Sequence, residues 1–310
     1  MNDIEYNLVL MHVPNYQHVG DFMTVRNMMM GVAPQIRTII ASYVDGAIQL
    51  PANAQDMINS LPTLIFSPAP LDLPPQFRGT RLVPKKTTKL EEYALLGEKG
   101  LPYPKSKHIQ SLEDLDELDF GERFVIKPNV GKQGERIILV TAAACKAIVR
   151  DQFGDNNLDL IAQQAINTGL KPTGYRVFSV LGEVIYLVKY QSQAVDVEQA
   201  MAEQNFAPIA ANLKEGRHME LVNDQEILSL GEQVHQSFPS MPVLGQDIVR
   251  DVDTGKLYIL ELNSGGWTWH LSSNYGSQYR KKFKLDYYGQ FNALERITQA
   301  LARVTLAQAT

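Results

Sequence analysis

Three observations predict an α/β protein. Apolar, strand-like runs alternate with helical stretches over the first 67 residues, as in a small parallel layer. Between Arg123 and Asn263 short apolar runs follow one another across turns, several of them glycine-containing, and read as strands and hairpins. A long helical stretch, Asp286 to Leu306, ends the chain.

The elements follow in order. Tyr6 to Val13 reads as a buried strand, and a Met-rich helix is expected around Asp21–Met30. Gln35 to Tyr43 is a second strand, Asn53 to Ser60 a helix, and Leu61 to Ser67 a third strand. The loop Pro14–Gly20 lacks GxGxxG, which disfavours a dinucleotide site there. Pro68, Pro70, Pro74, Pro75 and Pro84 mark a linker or crossover, with a domain boundary near 80. Thr87 or Thr88 can cap a helix that Gly100 ends. Glu113 to Glu117 reads as a short polar helix with a solvated face, and Thr141–Ala147 as a helix holding a buried, inert Cys145. Arg123 to Lys127, Arg136 to Val140, Leu158 to Ile166, Arg176 to Leu181 and Glu183 to Val188 are strands. Leu181-Gly182-Glu183 makes a tight hairpin turn, and no internal repeat is present.

A chain of 310 residues exceeds one compact core in most folds, so two or three subdomains are expected. Hydrophobic content of 45% and charged content of 20% are those of an ordinary globular protein. A net charge of −5 argues against nucleic-acid or membrane partners. A single cysteine excludes an intramolecular disulfide and fits a reducing compartment. No apolar run approaches a membrane span, and the acidic start Met1-Asn2-Asp3-Ile4-Glu5 is unlike a signal peptide, so the cytoplasm is expected.

The chemistry concentrates in two strands, Gln246–Asp251 and Leu257–Asn263, joined by the turn Asp253-Thr254-Gly255-Lys256. Each carries an acid where an apolar residue is expected, and a buried carboxylate is costly unless paired or metal-bound. Glu261 and Asn263 are two apart and face one side of their strand, and antiparallel pairing can bring Asp247 beside them. Three hard oxygen ligands on one face suit Mg²⁺, which usually binds substrate phosphates. The plainer alternative is two acids at strand ends, solvated or salt-bridged.

In Phe124-Val125-Ile126-Lys127-Pro128 a lysine ends an apolar strand, and Gly131 and Gly134 follow in a loop. Glycines admit backbone N–H groups close to a phosphate, and lysine adds a point charge. No GK[ST] opens a helix, so this is not a P-loop; an ordinary glycine hairpin with a solvated lysine is the competing reading. Leu158–Ile166, with Gln163-Gln164, can offer a strand edge to a planar base. Arg176 can meet phosphate bidentately or lie on the surface, and Lys189 is a weaker candidate of the same kind.

This ordered set resembles the ATP-grasp superfamily. Within it the chain looks most like the branch containing bacterial glutathione synthetase and the ligases that add glutamate to ribosomal protein S6. The resemblance covers about residues 85–270 and, more loosely, the N-terminal layer; Glu261-Leu262-Asn263 matches the family's E-x-N element. Phe206–Arg217 resembles the branch's segment of Arg, x, Asn, then Gly and a basic residue. The resemblance implies an α/β pre-ATP-grasp domain over 1–80, a linker helix and central lid over 81–165, and a C-terminal subdomain with the metal acids over 166–310. It implies ATP and one or two Mg²⁺ ions, with Mn²⁺ able to substitute. Lys89 (or Lys85 or Lys86) and Lys127 would hold the α- and β-phosphates. The loop Gly131, Lys132, Gln133, Gly134 would close over them, and Gln163, Gln164, Ala165 and Ile166 would line the adenine slot. Asp247, Glu261 and Asn263 would hold the metal, with Arg176, Asn212 and Arg217 near the γ-phosphate and the acyl phosphate.

The activity implied is amide formation between a small-molecule or peptide carboxylate and an amine, in a homodimer or homotetramer. A small-molecule kinase on the same fold and a non-catalytic nucleotide-binding protein are the alternatives. The sequence departs from the family at Ala210, where an arginine is usual, and at Lys132, where a small or hydroxyl residue is usual. Ser264–His270 holds both tryptophans of the chain and reads either as loop packing or as a wall of the acceptor site, with His270 a candidate proton acceptor. His12 and His18, flanking the end of the first strand, are candidates to reach a substrate at that edge.

Overall fold

The computed structural model describes residues 3–14, 16–75, 77–131, 136–193, 196–209, 216–264 and 269–310. The chain opens with β1 (Tyr6–His12), α1 (Val19–Val32), β2 (Ile36–Val44), β3 (Ala47–Gln49), α2 (Ala54–Ser60), β4 (Thr63–Phe66) and β5 (Thr80–Leu82). These strands form one sheet in the order β3-β2-β1-β4-β5. β2, β1, β4 and β5 run parallel, and β3 turns back on β2. The proline-rich stretch 68–84, read from sequence as linker, therefore ends in an edge strand. Gly79 permits this: at φ 116° it passes so close to the Thr63 carbonyl that a Cβ there would sit 2.3 Å from the oxygen.

Helix α3 (Lys89–Glu98) follows, closed by a reciprocal capping box between Thr88 and Glu91. A second, antiparallel sheet holds β6 (Ser106–Ile109), β7 (Arg123–Pro128), β8 (Ile138–Thr141) and β9 (Leu160–Gln164), with α4 (Cys145–Phe153) between the last two. A third begins with the hairpin β10 (Thr173–Val180) and β11 (Glu183–Ser192), turned at Leu181 and Gly182 with φ 49° and 91°. After α5 (Val197–Gln204) come β12 (Phe206–Pro208), β13 (Arg217–Leu221), α6 (Gln225–Ser237), β14 (Val243–Arg250), β15 (Leu257–Asn263), α7 (Asn274–Phe283) and α8 (Ala293–Gln308). The third sheet runs β13-β11-β10-β14-β15, while β12 returns to the second, giving β12-β8-β7-β9-β6. The terminal helix starts at Ala293 rather than Asp286, because Asn292 takes a left-handed φ of 54° and residues 287–292 form turns.

Period-two alternation divides the third sheet between two cores. Phe178, Val180, Tyr186 and Val188 face the first layer, packing with Leu8, Leu10, Phe22, Trp269 and Leu301. Val177, Leu187, Leu244, Ile248 and Ile259 face the other way, against Leu96 of α3 and Ile227 and Val234 of α6. The middle sheet has its own core on α4, in which Cys145 is buried. Among the described residues no helix is long and apolar enough to cross a membrane.

Candidate active site

The face of the third sheet that packs on the first layer turns polar toward one end. Register puts Arg176 of β10 opposite Asp247 of β14, Asp247 opposite Glu261 of β15, and Gly245 opposite Asn263. Cross-strand partners share a face, so Arg176, Asp247, Glu261 and Asn263 form a polar row. Further out on the same face lie Tyr190 of β11 and Arg217 of β13, the latter opposite Ser192.

The row is densely bonded. Arg176 donates to both oxygens of Asp247, at 2.8 and 2.6 Å. The Tyr190 hydroxyl adds a bond of 3.1 Å and the Asn263 amide one of 3.3 Å. Burial works against the Arg176 charge, but Asp247 outweighs it and holds the guanidinium above its ordinary range. Lys89, at the start of α3, reaches Glu261 at 3.2 Å.

A cavity of about 790 Å³ opens between the second and third sheets. One end carries Lys89, Lys127, Asp247 and Glu261; the other is apolar, with Val125, Leu139, Ile166, Leu170 and Val252. Such a volume suits a medium-sized ligand, and the two ends suit one that is anionic at one extremity and flat and apolar at the other. Lys127 is 4% exposed. Its ammonium donates to the Tyr93 hydroxyl at 2.5 Å and to Gln163 Oε1 at 2.9 Å. Burial lowers its pKa to about 8, against the pull of nearby Glu261. Glu92 is buried beside it on α3, and burial together with Glu261 raises its carboxyl to about 8.

The predicted residues separate accordingly. Lys89, Lys127, Gln163, Gln164, Ala165, Ile166, Asp247 and Glu261 line the cavity, and Arg176 and Asn263 bond to Asp247 from the same face. Lys85 and Lys86 do not line it. Gly131 is exposed, while Lys132, Gln133, Gly134 and Asn212 lie outside the described residues. Arg217 is buried, with its guanidinium 4.2 Å above the Tyr279 ring. Lys189 pairs with Glu220 instead, at 3.0 Å.

One expectation needs correction. The strand read as a free edge for a base is not an edge: β9 lies between β7 and β6, and Gln164 N donates to Lys105 O at 2.8 Å. The Gln163 side chain is spent on Lys127 and Ser106. Ala165 and Ile166 line the cavity just past the strand end. Trp269 is core as well: it is 1% exposed, and its indole donates to buried Asp21 at 2.9 Å, as do Ser272 and Tyr288. His270 is buried, with Nδ1 3.0 Å from the Tyr186 hydroxyl, and Trp267 and Thr268 lie outside the described residues. His12 is buried against Gln17 and Ser42, and burial lowers its pKa; His18 caps α1. Sequence reasoning misses Glu92, Tyr93 and Tyr190. The helical spacing of Glu92 and Tyr93 from Lys89 is the signal that finds the first two.

No protein-family model matches this sequence, and no curated protein matches it. Solved structures do match in fold. D-cycloserine synthetase DcsG is 13% identical, with 96% of this chain and 99% of that one covered at a TM-score of 0.55. The ATP-grasp ligase PsnB, complexed with a phosphomimetic variant of its minimal precursor, Mg and ADP, is 16% identical, with 97% and 99% covered and a TM-score of 0.54. The macrocyclase MdnC from Microcystis aeruginosa MRC, bound with precursor peptide MdnA, is 12% identical, with 97% and 99% covered and a TM-score of 0.53. Over nearly its whole length, this chain has the ATP-grasp fold.

Proposed function

We propose that this protein is an ATP-dependent carboxylate–amine ligase. The carboxylate takes the γ-phosphoryl group of ATP to give an acyl phosphate and ADP. An amine then attacks the acyl carbon, phosphate leaves, and an amide remains. The observation that carries the reading is the cavity whose cationic–acidic end joins Lys89, Lys127, Asp247 and Glu261 to an apolar slot ending at Ala165 and Ile166. Phosphoryl transfer is largely positioning and charge neutralisation, and that is the chemistry these side chains supply. Solved structures of this fold include a ligase, PsnB, complexed with Mg and ADP.

In this reading Lys127 and Lys89 hold the phosphates, and Val125 and Leu139, neighbours on one face of the middle sheet, pack against one side of the base. Arg176 stands ready for the γ-phosphate or the acyl phosphate, with Arg217 and Asn212 further out. The hard-oxygen donors suit Mg²⁺. Glu261 meets Lys89 through Oε1, whereas both oxygens of Asp247 are already taken by Arg176, Tyr190 and Asn263. Glu261 is thus the ready ligand, and Asp247 joins once one of its partners yields. A Mg²⁺ ion bound there supplies charge neutralisation and orientation of the phosphate oxygens. The reading includes the division into 1–80, 81–165 and 166–310, affinity with the glutathione synthetase and S6–glutamate ligase branch, and a peptide or small-molecule carboxylate as substrate.

The test is ADP release measured with panels of carboxylates and amines, with product mass determined. Amine-dependent ADP release with an amide product is expected, and Glu261→Ala is expected to abolish it while leaving the thermal midpoint near that of wild type. A phosphorylated product released without amine would identify a kinase, and turnover retained in Glu261→Ala would sink the metal assignment.

A further inference from the structure

β15 carries Glu261 and Asn263, yet it is the edge strand of its sheet. An edge presents unpaired backbone groups, which exchange partners with water or ligand unless something covers them. Here α3 covers them. Lys89, Glu92 and Tyr93 fall at i, i+3 and i+4, so they share one helix face. That face meets three successive residues of β15. The Tyr93 hydroxyl donates to Leu260 O at 2.8 Å, Lys89 pairs with Glu261, and Leu262 N donates to Glu92 Oε2 at 3.0 Å. Thr87 holds the other Glu92 oxygen at 3.0 Å. One residue further, Ile259 N donates to Pro102 O at 2.9 Å. The same Tyr93 oxygen accepts from Lys127, which belongs to the sheet across the cavity. The start of α3 is tied to that sheet too, since Lys89 N and Leu90 N donate to Asn129 just past β7.

We infer that Glu92 and Tyr93 are positioning residues that clamp the free edge of β15 to α3. The clamp fixes how far the acid-bearing strand stands from Lys127. It rests on the nucleotide reading above for its purpose, though not for its geometry. Neither side chain has to touch the nucleotide: Glu92 acts through the Leu262 amide, and Tyr93 through Leu260 and Lys127. Removing the Tyr93 hydroxyl leaves Leu260 O with Lys127 alone, at 3.5 Å, and deprives the ammonium of its shortest bond. Removing the Glu92 carboxyl frees the amide between two proposed metal ligands. A glutamine at 92 still offers Leu262 N an acceptor oxygen.

The experiment measures Mg²⁺·ADP affinity by calorimetry and hydrogen exchange of the Leu262 amide in the full-length protein. Glu92→Ala and Tyr93→Phe are each expected to weaken affinity about fivefold to tenfold, and Glu92→Gln by no more than about twofold. Exchange at Leu262 is expected to accelerate about tenfold or more in Glu92→Ala and to stay near wild type in Glu92→Gln. Met29→Ala is the control: it empties core on α1, in a cluster that holds no residue of β15, and its affinity is expected to stay near wild type while its thermal midpoint falls. Wild-type affinity in both Glu92→Ala and Tyr93→Phe overturns the inference, as does an equal loss in Met29→Ala. A wild-type protein that binds no Mg²⁺·ADP overturns the nucleotide reading instead. The exchange comparison then decides the clamp alone, and unaccelerated exchange in Glu92→Ala refutes it.

Discussion

Replacing Lys127 with methionine is expected to erase a rising limb of stability between pH 8 and 10.5. Burial lowers this lysine from 10.5 to about 8, Glu261 only partly opposing it. Below pH 8 the ammonium is carried by folded and unfolded chains alike, and its full burial cost weighs on the fold. As pH rises through 8 the folded lysine gives up its proton while the unfolded one keeps it up to 10.5, so wild type gains stability over that window. At about 1.4 kcal/mol per pH unit the gain is up to about 3 kcal/mol. The side chain is 4% exposed, so solvent screening takes little from this figure. Methionine also leaves Gln163 Oε1 without its donor, at a cost of about 1–3 kcal/mol. That cost does not vary with pH, so the slope and not the offset carries the prediction. Urea unfolding of both proteins at steps from pH 7 to 10.5 measures it. Parallel profiles would refute the buried-ammonium argument. On the nucleotide reading the same variant binds Mg²⁺·ATP about tenfold to a hundredfold more weakly, through loss of a charge-assisted contact.

Three other outcomes are expected. His235 is buried with Nδ1 2.6 Å from Ser179 Oγ, and burial lowers its pKa from 6.5 to about 4. The unfolded chain takes up a proton that the folded ring refuses, so acidification from pH 6.5 to 4 should cost up to about 3 kcal/mol; urea titrations of His235→Leu should lack that limb. Gly276→Ala would set a Cβ 2.0 Å from the His270 carbonyl oxygen, and since backbone cannot move aside cheaply, a loss of about 3 kcal/mol or more is expected in thermal unfolding. Trp269→Phe keeps the ring among Phe22 and Phe178 but strips a donor from buried Asp21, so its midpoint should fall by the equivalent of about 1–3 kcal/mol, whereas an unchanged midpoint would mean that Ser272 and Tyr288 suffice.

Much of the site is legible locally. An acid inside an apolar strand is an anomaly of burial, and two-residue spacing puts Glu261 and Asn263 on one face whatever the fold. Thr88 and Glu91 announce the start of α3 by the spacing of a capping box. The clamp is not legible in the same way, because Glu92 and Leu262 are 170 positions apart and meet only when α3 docks on β15. The edge strand β5 is hidden among prolines, since its pairing depends on Gly79 and Thr63 meeting across the layer.

The sequence by itself determines alternation, turns and caps, because these depend on neighbours within a few positions: the hairpin at Leu181-Gly182, the side of the strand on which Glu261 and Asn263 lie, and the lysine at the end of β7. Tertiary structure decides which strand neighbours which. It makes β9 interior, so the Gln163 amide serves Lys127 and Ser106 rather than a ligand. It sends Phe206–Pro208 back to the middle sheet, and it buries Trp269 against Asp21, 248 positions earlier. Pairing and burial join residues far apart in the chain, and local chemistry leaves several such partnerships equally open until packing selects one.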